Sequence, residues 1–202
     1  MNWLAHLYLS EPDTEFRLGN LLADQVRGPD RTQMSPAFLR GVACHQVIDA
    51  FAEAHPVVKR SRQRIGAEQR RFSGILVDVF YDHFLARNWA AYSTIPLPQF
   101  THGAYADFTP HIPALPEEAR ITIERIIKHD WLTSYREIAG IEDVLERLSG
   151  RLTERLNRPM ALHSAVKDLR EHHGDFEADF RGFFPSLLTA LSFVPPLQPV
   201  QH

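Results

Sequence analysis

The chain has 202 residues, 44% of them hydrophobic, and a formal net charge of −3 from 22 lysine and arginine residues against 25 aspartate and glutamate residues. This length and apolar content suit one well-packed domain, and the balanced charge gives no indication of a nucleic-acid partner. The single cysteine, Cys44, excludes an intrachain disulfide, and no apolar run reaches the roughly 18 residues of a membrane-spanning helix. We therefore expect a cytoplasmic protein without a nucleic-acid or membrane partner.

The apolar residues follow a helical period almost throughout, which predicts an all-α fold. We expect a single-domain helical bundle over residues 1–193 and a flexible tail at residues 194–202. In chain order, the predicted helices cover residues 2–10, 14–26, 35–55, 56–65, 72–89, 99–108, 116–129, 141–156 and 160–193. Ser35 and Pro36 are a typical cap and first residue for the third helix, whereas Pro185 predicts a bend or break in the last.

The helix predicted over residues 72–89 is apolar on nearly every side, which is typical of a buried helix. It nevertheless carries Asp78 and Asp82 four residues apart, on one face, where two like charges repel. A buried carboxylate must be neutralised, paired with a cation or bound to a metal. A positive group is therefore expected beside this pair.

Two other predicted helices repeat this spacing of polar residues within apolar sequence. One carries His45 and Asp49, and the other carries Asn20 and Asp24. Aspartate and histidine together suit divalent ions such as manganese, iron or zinc, and helical bundles build metal sites from inward-facing side chains of this kind. His6, within an apolar segment, is a further candidate.

Each candidate also has a purely structural interpretation. An isolated aspartate in an apolar helix can be neutralised by an arginine, and the available ones are Arg17, Arg27, Arg40 and Arg87. His45 could be a histidine oriented by Asp49 without any metal. His83 lies about 100° around the helix from Asp82, which suits a core-boundary histidine as well as an active-site residue.

The first 89 residues contain, in this order, the segments MNWLAHLYLS, GNLLADQVRG, HQVID and LVDVFYDHFLARNW. As a set and in their spacing, these segments resemble the bacterial acyl carrier protein phosphodiesterase family. The resemblance implies an α-helical fold distantly related to the HD-type metal-dependent phosphohydrolases. It also implies a manganese-dependent activity that removes 4′-phosphopantetheine from holo acyl carrier protein and leaves the apo form.

Carried over to this sequence, the resemblance implies a set of metal-site residues and a set of catalytic residues. The metal-site residues are Asp24, His45, Asp49 and Asp78, and the nearby catalytic residues are His6, Asn20, Asp82 and His83. For the chemistry, our hypothesis is that Asp78 or Asp82 accepts the proton of an attacking water. His83 or His6 then protonates the departing serine oxygen. Because Asp82 and His83 stand in the reverse of the His-Asp order, the ligand set of HD enzymes does not transfer directly.

A basic segment, residues 59–71, lies in the sequence between the His45/Asp49 pair and the Asp78/Asp82 pair. Its cationic residues are Lys59, Arg60, Arg62, Arg64, Arg70 and Arg71. The segment can be a solvated helix face or, because acyl carrier proteins are small and acidic, a surface that docks this partner. Two other functions stay open: an HD-like phosphohydrolase acting on nucleotides, and a non-catalytic helical adaptor for an acidic partner.

Overall fold

The computed structural model describes residues 1–192, apart from the side chains of residues 155 and 156. Over this range the chain forms twelve α-helices and no β-strand, which confirms the predicted all-α fold. The helices are α1 (Trp3–Tyr8), α2 (Thr14–Leu21), α3 (Pro29–Thr32), α4 (Pro36–Ala54), α5 (Pro56–Gln63), α6 (Ser73–Arg87), α7 (Leu97–Phe108), α8 (Glu117–Lys128), α9 (Trp131–Ser134), α10 (Ile138–Leu156), α11 (Val166–Glu171) and α12 (His173–Ser192). The predicted tail, residues 194–202, lies outside the described residues.

Helix α6 is the centre of the bundle, as its apolar sequence predicts. It packs against α1, α5, α10 and α12, and its side chains from Leu76 to Ala86 are almost all buried. Tyr81 contacts Phe180 and Phe183 of α12 at ring-centroid distances of 5.6 and 5.5 Å. Among the described residues, no helix combines the length and the apolar character needed to cross a membrane.

The start of α4 follows the sequence prediction. The hydroxyl of Ser35 accepts the backbone N–H of Phe38 at 3.1 Å, and Pro36 occupies the first turn. At the other end, His55 takes an extended conformation before Pro56, and its ring accepts the backbone N–H of Val57 at 3.3 Å. The chain therefore passes directly from α4 into α5.

The predicted end of the second helix is wrong. The second helix ends at Leu21 rather than at residue 26, because the guanidinium of Arg31 binds the carbonyl oxygens of Ala23 and Val26 and stabilises a turn there. Asp24 thus lies in a turn, where the i,i+4 relation to Asn20 no longer has a helical meaning.

The C-terminal region breaks at His172, between α11 and α12, and not at Pro185. Pro185 lies inside α12, where it removes one backbone hydrogen bond, to the carbonyl of the solvent-exposed residue Arg181. Phe183, Phe184 and Leu187 on either side of it are fully buried. We conclude that this packing holds the helix continuous across the proline.

Helices α2 and α4 approach each other unusually closely, and glycines allow it. A Cβ atom added to Gly19 would lie 2.0 Å from the carbonyl oxygen of Phe38, and one added to Gly41 would lie 2.1 Å from that of Phe16. Real Cβ atoms do not approach backbone oxygens so closely. The contact matters for function because it brings Asn20 of α2 beside His45 of α4.

Replacing Gly41 with alanine should lower the free energy of unfolding by at least about 1–3 kcal/mol, because the added methyl group must push the two helices apart. Gly150→Ala in α10 is the matched control, since an added Cβ meets nothing within 4 Å there. It should raise stability by about 0.5–1 kcal/mol through helix propensity. Urea denaturation measures both variants. Wild-type stability in Gly41→Ala would show that the close approach is dispensable.

Candidate metal centre

A cavity of about 220 Å³ lies where α1, α2, α4, α6 and α10 meet. The charged and ionisable side chains in its wall are His6, Asp24, His45, Asp49, Asp78 and Arg151. Polar residues that are far apart in the sequence, on separate apolar segments, thus meet in one cavity.

Three of these side chains form a compact group. The Nε2 atom of His6 lies 3.2 Å from Oδ1 of Asp49, and the Nε2 atom of His45 lies 3.1 Å from Oδ2 of the same carboxylate. The two imidazole rings stack with their centroids 4.0 Å apart. One ligand atom from each residue lies within 4.8 Å of the others. Two imidazole nitrogens and a carboxylate at this separation fit a divalent metal ion.

Asn20 orients both histidines. Its side-chain amide donates to the carbonyl oxygen of His6 and to the hydroxyl of Ser10, each at 2.9 Å, so its Oδ1 atom accepts the Nδ1–H of His6 at 2.9 Å. Its backbone carbonyl accepts the Nδ1–H of His45 at 2.8 Å. With Nδ1 protonated on both rings, both Nε2 atoms face acidic oxygens. Metal-binding histidines are held in this way.

The charges within the group are strongly coupled. Burial raises the pKa of Asp49, but the contacts from His45, His6 and the amino group of Met1 outweigh burial and hold that pKa well below its usual range. Burial lowers the pKa of His45, and the neighbouring Asp49 more than compensates, so that the pKa is raised. Burial lowers the pKa of His6. Asp49 is therefore ionised, and it favours the protonated form of His45.

Asp78 and Asp24 flank the group. Oδ1 of Asp78 lies 3.1 Å from the amino group of Met1, which also lies 3.2 Å from Asp49. Burial lowers the pKa of this amino group, but the neighbouring Asp78 and Asp49 have a larger opposite effect, and the pKa is raised to about 10. Asp24 lies 4.0 Å from Nε2 of His45, with its side chain 70% exposed. In this structure the amino group of Met1 thus contacts both Asp78 and Asp49.

Asp82 and His83 do not line the cavity. The fully buried carboxylate of Asp82 accepts the backbone N–H groups of Leu4 at 2.7 Å and Ala5 at 3.2 Å, so it caps the first turn of α1. Burial raises the pKa of Asp82 to about 7, against the opposing effect of these hydrogen bonds. His83 is fully buried elsewhere, and its Nδ1–H donates to the carbonyl of Tyr135 at 2.8 Å.

The separation of Asp78 from Asp82 has a geometric cause. Four residues advance a helix by about 40° beyond a full turn and by about 6 Å along its axis. On α6 this difference directs Asp78 into the cavity and Asp82 beneath the N-terminus of α1. The two carboxylates therefore do not lie at one site, and the packing corrects the expectation of a single positive group beside both of them.

The basic segment at residues 59–71 is partly neutralised from within. Arg60 and Arg64 both bind the buried carboxylate of Asp179, and Arg62 pairs with Glu53 at 2.6 Å. The remaining cations, Lys59, Arg70 and Arg71, are exposed and form no ion pair with a described residue. Three of the six cations in this segment are thus available to a partner, because no described carboxylate neutralises them.

Sequence reasoning missed one part of the cavity wall. Trp3 and Trp131 stack with centroids 5.3 Å apart and planes 5° from parallel. The guanidinium carbon of Arg151 lies 6.0 Å and 5.9 Å from the two ring centroids. Two arginines one helical turn apart, at positions 147 and 151, are the sequence signal that could have indicated this face.

The fold and the cavity define an all-α protein with a histidine–carboxylate centre of the kind that holds divalent ions. The family model described as acyl carrier protein phosphodiesterase matches residues 1–187. The chain therefore belongs to the acyl carrier protein phosphodiesterase family and is an enzyme of this family, which confirms the resemblance carried by the first 89 residues.

Curated relatives agree with this assignment over nearly their full length. Proteins named acyl carrier protein phosphodiesterase from Photorhabdus laumondii subsp. laumondii and Yersinia enterocolitica are each 34% identical, over 93% and 94% of this chain and 93% and 96% of their own length. The protein of the same name from Pectobacterium atrosepticum is 35% identical over 93% of this chain and 96% of its own length. No solved structure matches the chain significantly, so the relation to HD-type folds stays a prediction.

Proposed function

We propose that this protein hydrolyses the phosphodiester between 4′-phosphopantetheine and the serine of holo acyl carrier protein, and thereby releases the apo protein. The observation that carries this proposal is the group of His6, His45 and Asp49, with its ligand atoms within 4.8 Å of one another in an open cavity. Family membership over residues 1–187 supplies the substrate. A cytoplasmic location suits both the carrier protein and Cys44, a free thiol whose pKa burial raises to about 11.

His6, His45 and Asp49 are the proposed metal ligands, with Asp24 and Asp78 at the edge of the site. Mixed imidazole and carboxylate donors suit manganese as well as iron or zinc, and manganese is the ion we propose. When bound, such an ion polarises a phosphoryl oxygen and lowers the pKa of a water molecule.

The chain's own residues have three further tasks in this proposal. Asp78, a carboxylate in the cavity wall, accepts the proton of the attacking water and passes a proton to the departing serine oxygen. Asn20 holds both imidazoles with Nε2 directed at Asp49. Asp82 fixes α1, and with it His6, against α6. Asn20 and Asp82 are positioning residues, and we assign no part in the reaction to His83.

Replacing Asn20 with alanine should weaken manganese binding about 10- to 100-fold, because the residues that orient metal-binding histidines commonly contribute that much. Manganese titration of the metal-free protein measures the effect. Thermal unfolding in the presence of a chelator shows whether the variant is folded, and Ser10→Ala is the matched control because it removes only one hydrogen bond of the same amide. Wild-type affinity in the folded Asn20→Ala variant would contradict the proposed orientation.

The proposed partner surface is the basic segment at residues 59–71, now centred on its unpaired cations. Reversing Lys59 and Arg71 to glutamate should raise KM for holo carrier protein several-fold and leave kcat unchanged, because exposed charges act mainly on encounter. The control variant reverses Lys167 and Arg136, which are exposed outside the segment and form no ion pair with a described residue. Equal increases in both variants would attribute the effect to net charge. Equal damage to the hydrolysis of a small phosphodiester would exclude a docking role.

The decisive test of the function is the mass of holo acyl carrier protein after incubation with this protein and manganese. We expect the loss of one 4′-phosphopantetheinyl group and no loss in the presence of a chelator. A panel of nucleotides run in parallel tests the nucleotide alternative, which would gain support if nucleotides were hydrolysed and the carrier protein stayed intact. A purified protein that binds neither manganese nor another divalent ion would support the adaptor alternative.

A further inference from the structure

The cavity has a second chemical feature besides the histidine–carboxylate group. Arg151 of α10 lies in its wall, half-buried beside the stacked indoles of Trp3 and Trp131. Arg151 forms no ion pair with any described residue. A charged group that is partly removed from water normally has a partner. Arg151 is thus a cation whose counter-charge is missing from the described part of the chain.

The surroundings of Arg151 make this imbalance larger. Burial and the nearby guanidinium of Arg125 both lower its pKa, while Glu118 and Tyr135 act weakly in the opposite direction. Arg147, one helical turn away, adds a further positive charge, with its guanidinium carbon 5.6 Å from the Trp131 ring centroid. Cations therefore outnumber carboxylates around the Arg151 guanidinium, which favours an anion there.

We propose that Arg151 binds the phosphate of the phosphopantetheine diester, with the half-buried indole of Trp3 in contact with the adjoining pantetheine arm. The proposal rests on the proposed function, because the substrate class comes from there. A guanidinium presents a planar set of donors that matches two phosphate oxygens at once. Arg151 and the His6–His45–Asp49 group line the same cavity of about 220 Å³. One bound phosphodiester can therefore meet the guanidinium and the metal-type centre together.

The test is calorimetric titration of the metal-free protein with 4′-phosphopantetheine and, separately, with pantetheine, which lacks the phosphate. Wild-type protein should bind 4′-phosphopantetheine more tightly than pantetheine. Arg151→Gln should raise the Kd for 4′-phosphopantetheine about 10- to 100-fold, as expected for the loss of charge-assisted hydrogen bonds, and leave that for pantetheine unchanged. Arg147→Gln is the matched control: it removes the same charge from the same helix beside the same indole, but from outside the cavity wall, so it should raise the Kd for 4′-phosphopantetheine by less than about threefold.

Three results would overturn the proposal. They are equal binding of the two compounds by wild-type protein, unchanged binding of 4′-phosphopantetheine by Arg151→Gln, and equal weakening by Arg151→Gln and Arg147→Gln. If Arg151→Gln does not fold, Arg151→Lys keeps the charge and loses the planar donor set, and it should give an intermediate Kd; wild-type affinity in it would also count against the proposal.

Turnover of holo carrier protein with manganese separates this inference from the proposed function. If wild-type protein binds 4′-phosphopantetheine through Arg151 and leaves holo carrier protein intact, the function fails and the phosphate site stands. If turnover occurs and Arg151→Gln has wild-type kcat and KM, the function stands and the phosphate site fails.

Discussion

Replacing Asp49 with asparagine is expected to abolish manganese binding and to lower turnover of holo carrier protein by more than about 100-fold, since even groups that only orient a metal ligand account for 10- to 100-fold. Asp49 is the one carboxylate that contacts both histidines, through Oδ1 to His6 and Oδ2 to His45. The substitution keeps the shape of the side chain and removes its charge. A divalent ion then loses the only anionic ligand in the compact group.

Manganese content by elemental analysis and turnover by mass spectrometry measure this effect on the same samples. Asp143→Asn, an exposed change on α10, controls for the loss of one negative charge. Asp24→Asn, at the mouth of the cavity, should have an intermediate effect because its carboxylate is 4.0 Å from His45 and largely exposed. An Asp49→Asn protein with full manganese content and normal turnover would refute the proposed centre.

The raised pKa of His45 predicts that manganese affinity decreases at lower pH. Its pKa is raised above the usual value of 6.5, and a metal ion needs the neutral ring. Protons therefore compete with manganese at and above pH 6.5, and the apparent affinity should fall as the pH is lowered through the raised pKa. Binding should release protons into weakly buffered solution. An affinity that rises on acidification would contradict His45 as a ligand.

Replacing Asp179 with asparagine is expected to cost about 3 kcal/mol of unfolding free energy, because removal of one partner leaves the others of a buried ion pair uncompensated. The Asp179 side chain is 2% exposed, receives both Arg60 and Arg64, and accepts the hydroxyl of Ser61 at 2.8 Å. The hydrogen bonds from Arg60 and Ser61 and the charge of Arg64 outweigh burial and lower its pKa. This contact fastens α12 to α5.

Urea denaturation at neutral pH measures the loss, and Asp175→Asn is the control. Asp175 is exposed and lies 3.7 Å from Arg64, so its replacement should change stability by less than about 0.5 kcal/mol. Because the folded-state pKa of Asp179 is lowered, its contribution is present above the unfolded value of 3.8 and is lost as the pH falls below it. In strong acid Asp179 is protonated and neutral, so the stability of Asp179→Asn should approach that of Asp175→Asn. Equal urea midpoints for the two variants at neutral pH would show that the contacts of Asp179 with Arg60 and Arg64 contribute nothing to stability.

Local patterns were sufficient to predict several features. The capped start of α4 and the burial of α6 depend on residues within one or two helical turns, and both predictions are confirmed by the structure. The candidates His45 and Asp49 were found for the same reason: a turn of helix brings them together whatever the rest of the chain does. The all-α fold and the family also follow from segments that are contiguous in the sequence.

Other features depended on contacts between distant residues. Asp82 caps α1 from 78 positions away, Asp179 neutralises Arg60 from 119 positions away, and Trp131 meets Trp3 only because α9 packs beside α1. The same i,i+4 pattern produced a cavity carboxylate at Asp78 and a helix cap at Asp82. Periodicity reports which side of a helix is polar, and it contains no information on which neighbour that side will meet.

By itself, the sequence determined most of the helices, their buried faces, the family and the residue types available for a metal centre, because these depend on short-range geometry and composition. Only the tertiary structure decided which polar side chains share a cavity, which are matched to a buried partner, and which cation stands without one. The physical reason is that a buried charge is stabilised by whatever group packing brings within a few ångströms, and packing is a property of the whole chain.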